Sequence, residues 1–148
     1  MPARSQPRSE NFPFRVELAT RFDDLDTQGH INNVAIANLY QEARLRFHGK
    51  AFGELRGGQD RDDGIGTVLV DIHITYQRET HYPLPVTIAC GVGRLGNTSY
   101  TIKSVLFQDS HCVGTCDAVL VYVKAGKPQP IPREERAILG DYQLVDAR

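Results

Sequence analysis

The chain has 148 residues, 41% of them hydrophobic and 24% charged, the size and balance of one ordinary globular domain with enough length to bury a core. Seventeen basic against eighteen acidic residues leave a net charge of -1, so no overall field draws the protein to nucleic acid or to an anionic membrane. No apolar run approaches the roughly 18 residues of a membrane span, and three cysteines without a secretory leader, Cys90, Cys112 and Cys116, point to free, mostly buried thiols and a cytoplasmic location.

In chain order, residues 1–13 are rich in proline, arginine and small polar residues and read as a disordered N-terminal tail. From Phe14 to Phe22, Phe14, Val16 and Leu18 alternate with Arg15, Glu17 and Ala19, the period of a half-buried strand. A polar turn follows, with Asp24, Asp26, Gln28, His30, Asn32 and Asn33 crowded at the mouth of an apolar periodic run. Ile36, Leu39, Tyr40, Ala43 and Phe47 then form one stripe of a helix predicted over 33–48, which Gly49 and Gly53 end. On another side of that helix, Glu42 and Arg46 can pair at i, i+4. Residues 55–66 are rich in glycine and charge and read as a surface loop able to gate a pocket.

From Thr67 onward come four runs rich in Val, Ile, Thr and Tyr, each bounded by turn residues. In the first, Val68, Val70, Ile72, Ile74 and Tyr76 oppose Thr67, Leu69, Asp71, His73 and Thr75. In the last, Val113 to Val123 oppose a face of small residues, Cys112, Gly114, Cys116 and Ala118, which leaves room for close packing. Short connections at Gly96-Asn97 and Asp109-Ser110-His111 suit antiparallel hairpins. A proline-rich exit leads to a weakly helical C-terminal tail over 133–148. The predicted architecture is α+β, a five-stranded antiparallel sheet wrapped around one long central helix over residues 14–132. One helix cannot cover both faces of such a sheet, so a second copy is expected to complete the burial, as a homodimer or homotetramer.

The segment Asp24-x-Asp26-x-x-Gly29-His30-x-Asn32-Asn33, ahead of an apolar helix and followed by four strands, resembles the hotdog-fold thioesterases of the 4-hydroxybenzoyl-CoA thioesterase type. That group includes the YbgC-like acyl-CoA thioesterases and the plant acyl-carrier-protein thioesterases. The resemblance implies the hotdog fold, hydrolysis of an acyl-CoA thioester to free acid and coenzyme A, and Asp26 as the catalytic carboxylate, either nucleophile or general base. In the acyl-carrier-protein branch a second polar residue and a histidine share the work, and these fall on Gln28, in place of the branch's asparagine, and on His30. Gln28, Gly29 and Asn33 are the expected substrate-binding positions. A carboxylate ahead of a helix is kept ionised by the helix's positive end and by free N–H groups, and those N–H groups near Asn33 can polarise a thioester oxygen as charge develops on it.

Each of these residues also has a structural role open to it. Asp24 suits a solvated surface charge, Asp26 a helix-proximal cap, His30 a structural hydrogen bond, and Asn32 or Asn33 the N-cap. Gly29 suits a backbone shape that a side chain would obstruct. No metal site and no cofactor are expected, coenzyme A entering only as part of the substrate. The twelfth position of a calcium loop opened at Asp24 would be Ala35, no serine sits in a nucleophile elbow, and no phosphate-binding glycine fingerprint is present. The alternatives are a non-catalytic hotdog subunit that binds or assembles around an acyl thioester, an acyl-carrier-protein thioesterase, and, less consistent with the polar cluster, a dehydratase on the same fold.

Overall fold

Phe14 and Leu18 bury the inward side of a first strand, β1 (Phe14–Leu18). The computed structural model describes residues 6–53 and 65–145, and in it this strand stops four residues short of the predicted Phe22. A single 3-10 turn over Phe22–Asp24 redirects the chain into the polar turn. The helix α1 (Asn33–Phe52) follows, about 30 Å long at 1.5 Å per residue. It runs through Gly49 and ends only at Gly53, whose φ of 45° breaks it. Ile36, Tyr40, Ala43 and Phe47 are buried as the stripe requires, each large side chain contributing about 1.5–3 kcal/mol of apolar burial. Arg44, which that stripe does not include, is buried with them. The Glu42–Arg46 pair forms at 2.9 Å on the exposed side, where such pairs contribute little.

The remaining strands are β2 (Ile65–Tyr76), β3 (Val86–Leu95), β4 (Ser99–Gln108), β5 (His111–Lys124) and a two-residue β6 (Lys127–Pro128) against β5. The main sheet is antiparallel in the order β1-β3-β4-β5-β2. Among the five main strands only β3, β4 and β5 pair in succession. β2 crosses to the far edge beside β5 before the chain returns to β3. A tight turn with positive φ at both Asp109 and Ser110 joins β4 to β5, the twist that suits a two-residue hairpin. Of the predicted loop over 55–66, residues 55–64 lie outside the described residues, while Ile65 and Gly66 belong to β2.

The inner face of the sheet packs α1. Across β3, β4 and β5 it presents Ile88, Cys90, Val92, Ile102, Leu106, Cys116 and Ala118, all shielded from solvent. The helix therefore approaches the small face of β5 at Gly114, Cys116 and Ala118, whereas a bulge between Leu106 and Phe107 turns Cys112, expected on that same face, to the outer side. The clean alternation read in β2 is broken by a bulge between Leu69 and Asp71. Leu69 pairs with Leu120 and takes the inner face, so Val68 falls outside opposite Val121.

Both predicted tails carry structure. Residues 9–11 form a 3-10 turn, and Phe12 packs on a second cluster of Ala89, Val105, Phe107 and Cys112 on the outer face. At the other end, a second helix, α2 (Arg133–Asp141), buries Leu139 against the core. Just beyond it, Tyr142 O accepts from Val92 N–H at 2.9 Å and Leu144 N–H donates to Val92 O at 2.8 Å. The domain thus extends past residue 132, because an apolar side chain every three or four residues suffices to dock a short helix that is too polar on average to read as core. No helix among the described residues is long and apolar enough to cross a membrane.

Candidate active site

The polar turn is built from main-chain hydrogen bonds that its own sequence dictates. Asp26 N–H donates to His30 O at 2.8 Å, and Gly29 N–H donates to Asp26 O at 3.1 Å. Gly29 adopts a φ of 80°, the left-handed region where a side chain is strained. This closes the loop so that Leu25 and Ile31 bridge across its neck. The Asp26 carboxylate then faces back onto the loop, its Oδ1 accepting from Gln28 N–H at 2.9 Å and from His30 N–H at 3.1 Å. The His30 N–H is the foremost cause holding the Asp26 carboxyl below its ordinary value. Desolvation opposes it, and the Gln28 N–H and the His30 ring add to it. The group is exposed and ionised at neutral pH.

Asn32, not Asn33, is the N-cap of α1. Its Oδ1 accepts from Ala35 N–H at 2.8 Å, while its own N–H and side-chain amide both donate to Asp24 O at 2.8 Å. One asparagine therefore caps the helix and anchors the start of the turn, at a typical value of about 1 kcal/mol for the cap. Asn33 opens the helix and is exposed. Among the described residues no acceptor takes the N–H of Asn33 or Val34, so the helix mouth retains two donors at its positive end. Asp24 contributes its carbonyl to Asn32, and its carboxylate meets Arg21 at 3.7 Å. Gln28 enters the network through its backbone.

The crossover from β2 to β3 supplies what the sequence did not reveal. Thr80 O accepts from Ile31 N–H at 2.9 Å, which lays this segment alongside the turn. Glu79 thereby comes within 3.0 Å of His30 Nε2, and the His81 ring meets the His30 ring edge-on with centroids 5.4 Å apart. Buried Gln108 clamps the crossover from below, donating to His81 O and Leu84 O and accepting from His81 N–H. Of the predicted residues, Asp26, Gln28, Gly29 and His30 thus share one hydrogen-bonded turn, with Asn33 at the adjoining helix end. Glu79 and His81 were missed. The one available signal was the polar run Gln77–His81 directly after a strand, which resembles the composition of the turn itself. Beside these residues opens a cleft of about 510 Å³ whose lining includes Arg78, Glu79, His81 and His111.

A curled antiparallel sheet in this strand order around a single long helix defines the hotdog class. The family model described as the thioesterase-like superfamily matches residues 20–139, and the chain belongs to that family, which places it among thioester hydrolases. The PA5185 protein of Pseudomonas aeruginosa strain PAO1 is similar at 25% identity, covering 96% of this chain and 99% of its own, with a TM-score of 0.80. A thioesterase of Thermus thermophilus, solved with coenzyme A and zinc, is 26% identical over 86% of this chain and 98% of its own, with a TM-score of 0.75. A thioesterase-superfamily protein of Jannaschia sp. CCS1 is 26% identical over 86% of this chain and 81% of its own, with a TM-score of 0.74.

Proposed function

We propose that the protein hydrolyses acyl-CoA thioesters to a free carboxylic acid and coenzyme A, with the Asp26 carboxylate performing the chemistry. The observation that carries this reading is the carboxylate held ionised by His30 and Gln28 N–H groups at the mouth of a helix with uncapped donors. As a nucleophile, Asp26 attacks the thioester carbon, coenzyme A leaves as a thiolate that takes a proton relayed from water through His30, and water then cleaves the resulting anhydride. As a general base, it accepts a proton from the water that attacks that same carbon, and the collapsing tetrahedral intermediate expels the thiolate. In both routes the N–H groups of Asn33 and Val34 are the donors for the developing oxyanion. His30, oriented by Glu79, is the proton shuttle to the leaving thiolate, and Gln28 and Gly29 shape the entrance.

Arg78, His81 and His111 in the adjoining cleft suit the phosphates of coenzyme A, and the Thermus thermophilus relative, solved with coenzyme A, supports that ligand class. The edge strand β2 leaves Val68, Leu69, Val70, Ile72 and Tyr76 exposed. A row of this kind on an unpaired edge invites another strand. A second copy paired there makes a homodimer, alone or as the unit of a tetramer, with the acyl chain between α1 and the sheet near the interface.

Thiol release from short, long and aromatic acyl-CoAs tests the reading, with Asp26→Asn as the comparison and a no-substrate control for the protein's own cysteines. The expected outcome is turnover by wild type and a loss of kcat of at least about 10³-fold in Asp26→Asn with substrate binding retained. A burst of thiol equal to the enzyme concentration selects the nucleophilic route. Turnover by neither protein, with acyl-CoA or with acyl-carrier-protein thioesters, would instead make the protein a hotdog subunit that binds without cleaving.

A further inference from the structure

A polar cluster lies inside the core, on the face of α1 that turns toward β5. Tyr40 is wholly buried and its hydroxyl has no hydrogen-bond partner among the described residues. One turn further on, Arg44 is 6% exposed, and among the described residues its guanidinium reaches only the Cys116 thiol, with Nη1 at 3.7 Å from Sγ. That thiol is no counter-ion, since burial pushes Cys116 up to about 11 and likewise Cys90. Ser104, between those cysteines in the same row of the sheet, is spent on Cys90 Sγ at 3.3 Å. A buried guanidinium without an anion is costly, and such charges are ordinarily paired. Among the described residues, a phenol with no partner beside Gly114 and a guanidinium met only by the neutral thiol of Cys116, two residues along the same strand face, describe a site for an anion.

The cluster stands in line with the helix mouth. Tyr40 follows Asn33 by seven residues, about 10 Å along the axis, and helical side chains lean toward the N-terminus, the direction in which Tyr40 lies from Arg44. The β2 edge lies beside the cluster. There Tyr76 pairs with Gly114 and Ile74 with Cys116, Tyr76 and Ile72 are exposed, and Gly114 puts no side chain before the Tyr40 hydroxyl. An apolar chain entering between α1 and β2 would meet methylene-compatible walls first and two donors at its end.

We propose that Tyr40 and Arg44 close the far end of the acyl site and select acyl groups that carry a carboxylate remote from the thioester. The proposal rests on the acyl-CoA thioesterase reading. The guanidinium and the phenol would each donate to the distal carboxylate, supplying the missing counter-ion.

Matched pairs test it: adipoyl-CoA against hexanoyl-CoA and suberoyl-CoA against octanoyl-CoA, with wild type, Arg44→Met and Tyr40→Phe. Wild type is expected to favour the dicarboxylic member by at least about tenfold in kcat/KM. Arg44→Met is expected to abolish that ratio through KM, and Tyr40→Phe to reduce it about threefold. Equal or reversed preference in wild type overturns the proposal, as does an Arg44→Met variant that keeps the ratio. An Arg44→Met variant that dissociates into monomers also overturns it, because Arg44 then serves a carboxylate of the second copy. Thermal shift with free adipate or suberate reads the site without catalysis. Stabilisation of wild type that hexanoate does not give, and that Arg44→Met loses, supports the site even if no thioester is cleaved, an outcome that would remove the thioesterase reading alone.

Discussion

The turn over 25–33 and the cluster around Tyr40 and Arg44 are both polar, and they solve the burial of polar groups in opposite ways. In the turn, nearly every donor and acceptor is answered within a few residues, Asp26 by Gln28 and His30, Asn32 by Asp24 and Ala35. The site is consequently set before any ligand arrives, and its carboxylate stays in water. In the cluster, the groups are brought together by packing and left unanswered among the described residues, a phenol without a partner and a guanidinium on a neutral thiol. A self-satisfied network orients chemistry, whereas an unsatisfied one calls for a binding partner.

Changes at each region sharpen this contrast. The largest effect on stability is expected from Gly114→Ala, since a Cβ there would stand 2.3 Å from Thr75 O and 3.4 Å from Tyr40 Oη. Backbone must move to admit it, and chemical denaturation should report a loss of about 3 kcal/mol. Next is Glu79→Gln, which leaves the turn's main-chain bonds intact and removes the charge beside His30. A fall of about tenfold in kcat that Glu79→Asp partly restores, with little change in KM or Tm, marks Glu79 as a positioning residue. An unchanged kcat would reduce it to a surface ion pair. Asn32→Ala removes the cap and is expected to lower stability by about 1 kcal/mol, with a loss of kcat as the turn loosens from Asp24. The smallest expected effect is that of acid. Because the Asp26 pKa is depressed, its ionised form persists as pH falls, so the acid limb of kcat/KM assigned to Asp26 lies below the ordinary aspartate value of 3.8. An acid limb above that value which moves in Asp26→Glu would contradict the hydrogen bonds drawn to its carboxylate.

The sequence by itself determined the turn, the cap and the helix, along with the strand content, because each rests on neighbours no more than eight residues apart or on a period of two or 3.6. The place of Asp26 in the turn was legible for that reason, as were the need for a side-chain-free backbone shape at Gly29 and the burial of Ile36, Tyr40 and Phe47. The tertiary structure alone decided that β2 takes the far edge, that a bulge beside Val70 turns Leu69 inward, and that Thr80 docks on Ile31 and thereby carries Glu79 to His30. It alone buried Arg44 against Cys116, 72 residues away. A charged residue on an amphipathic helix reads as solvated until the packing of sheet against helix is known, and local periodicity holds no information about contacts at that separation.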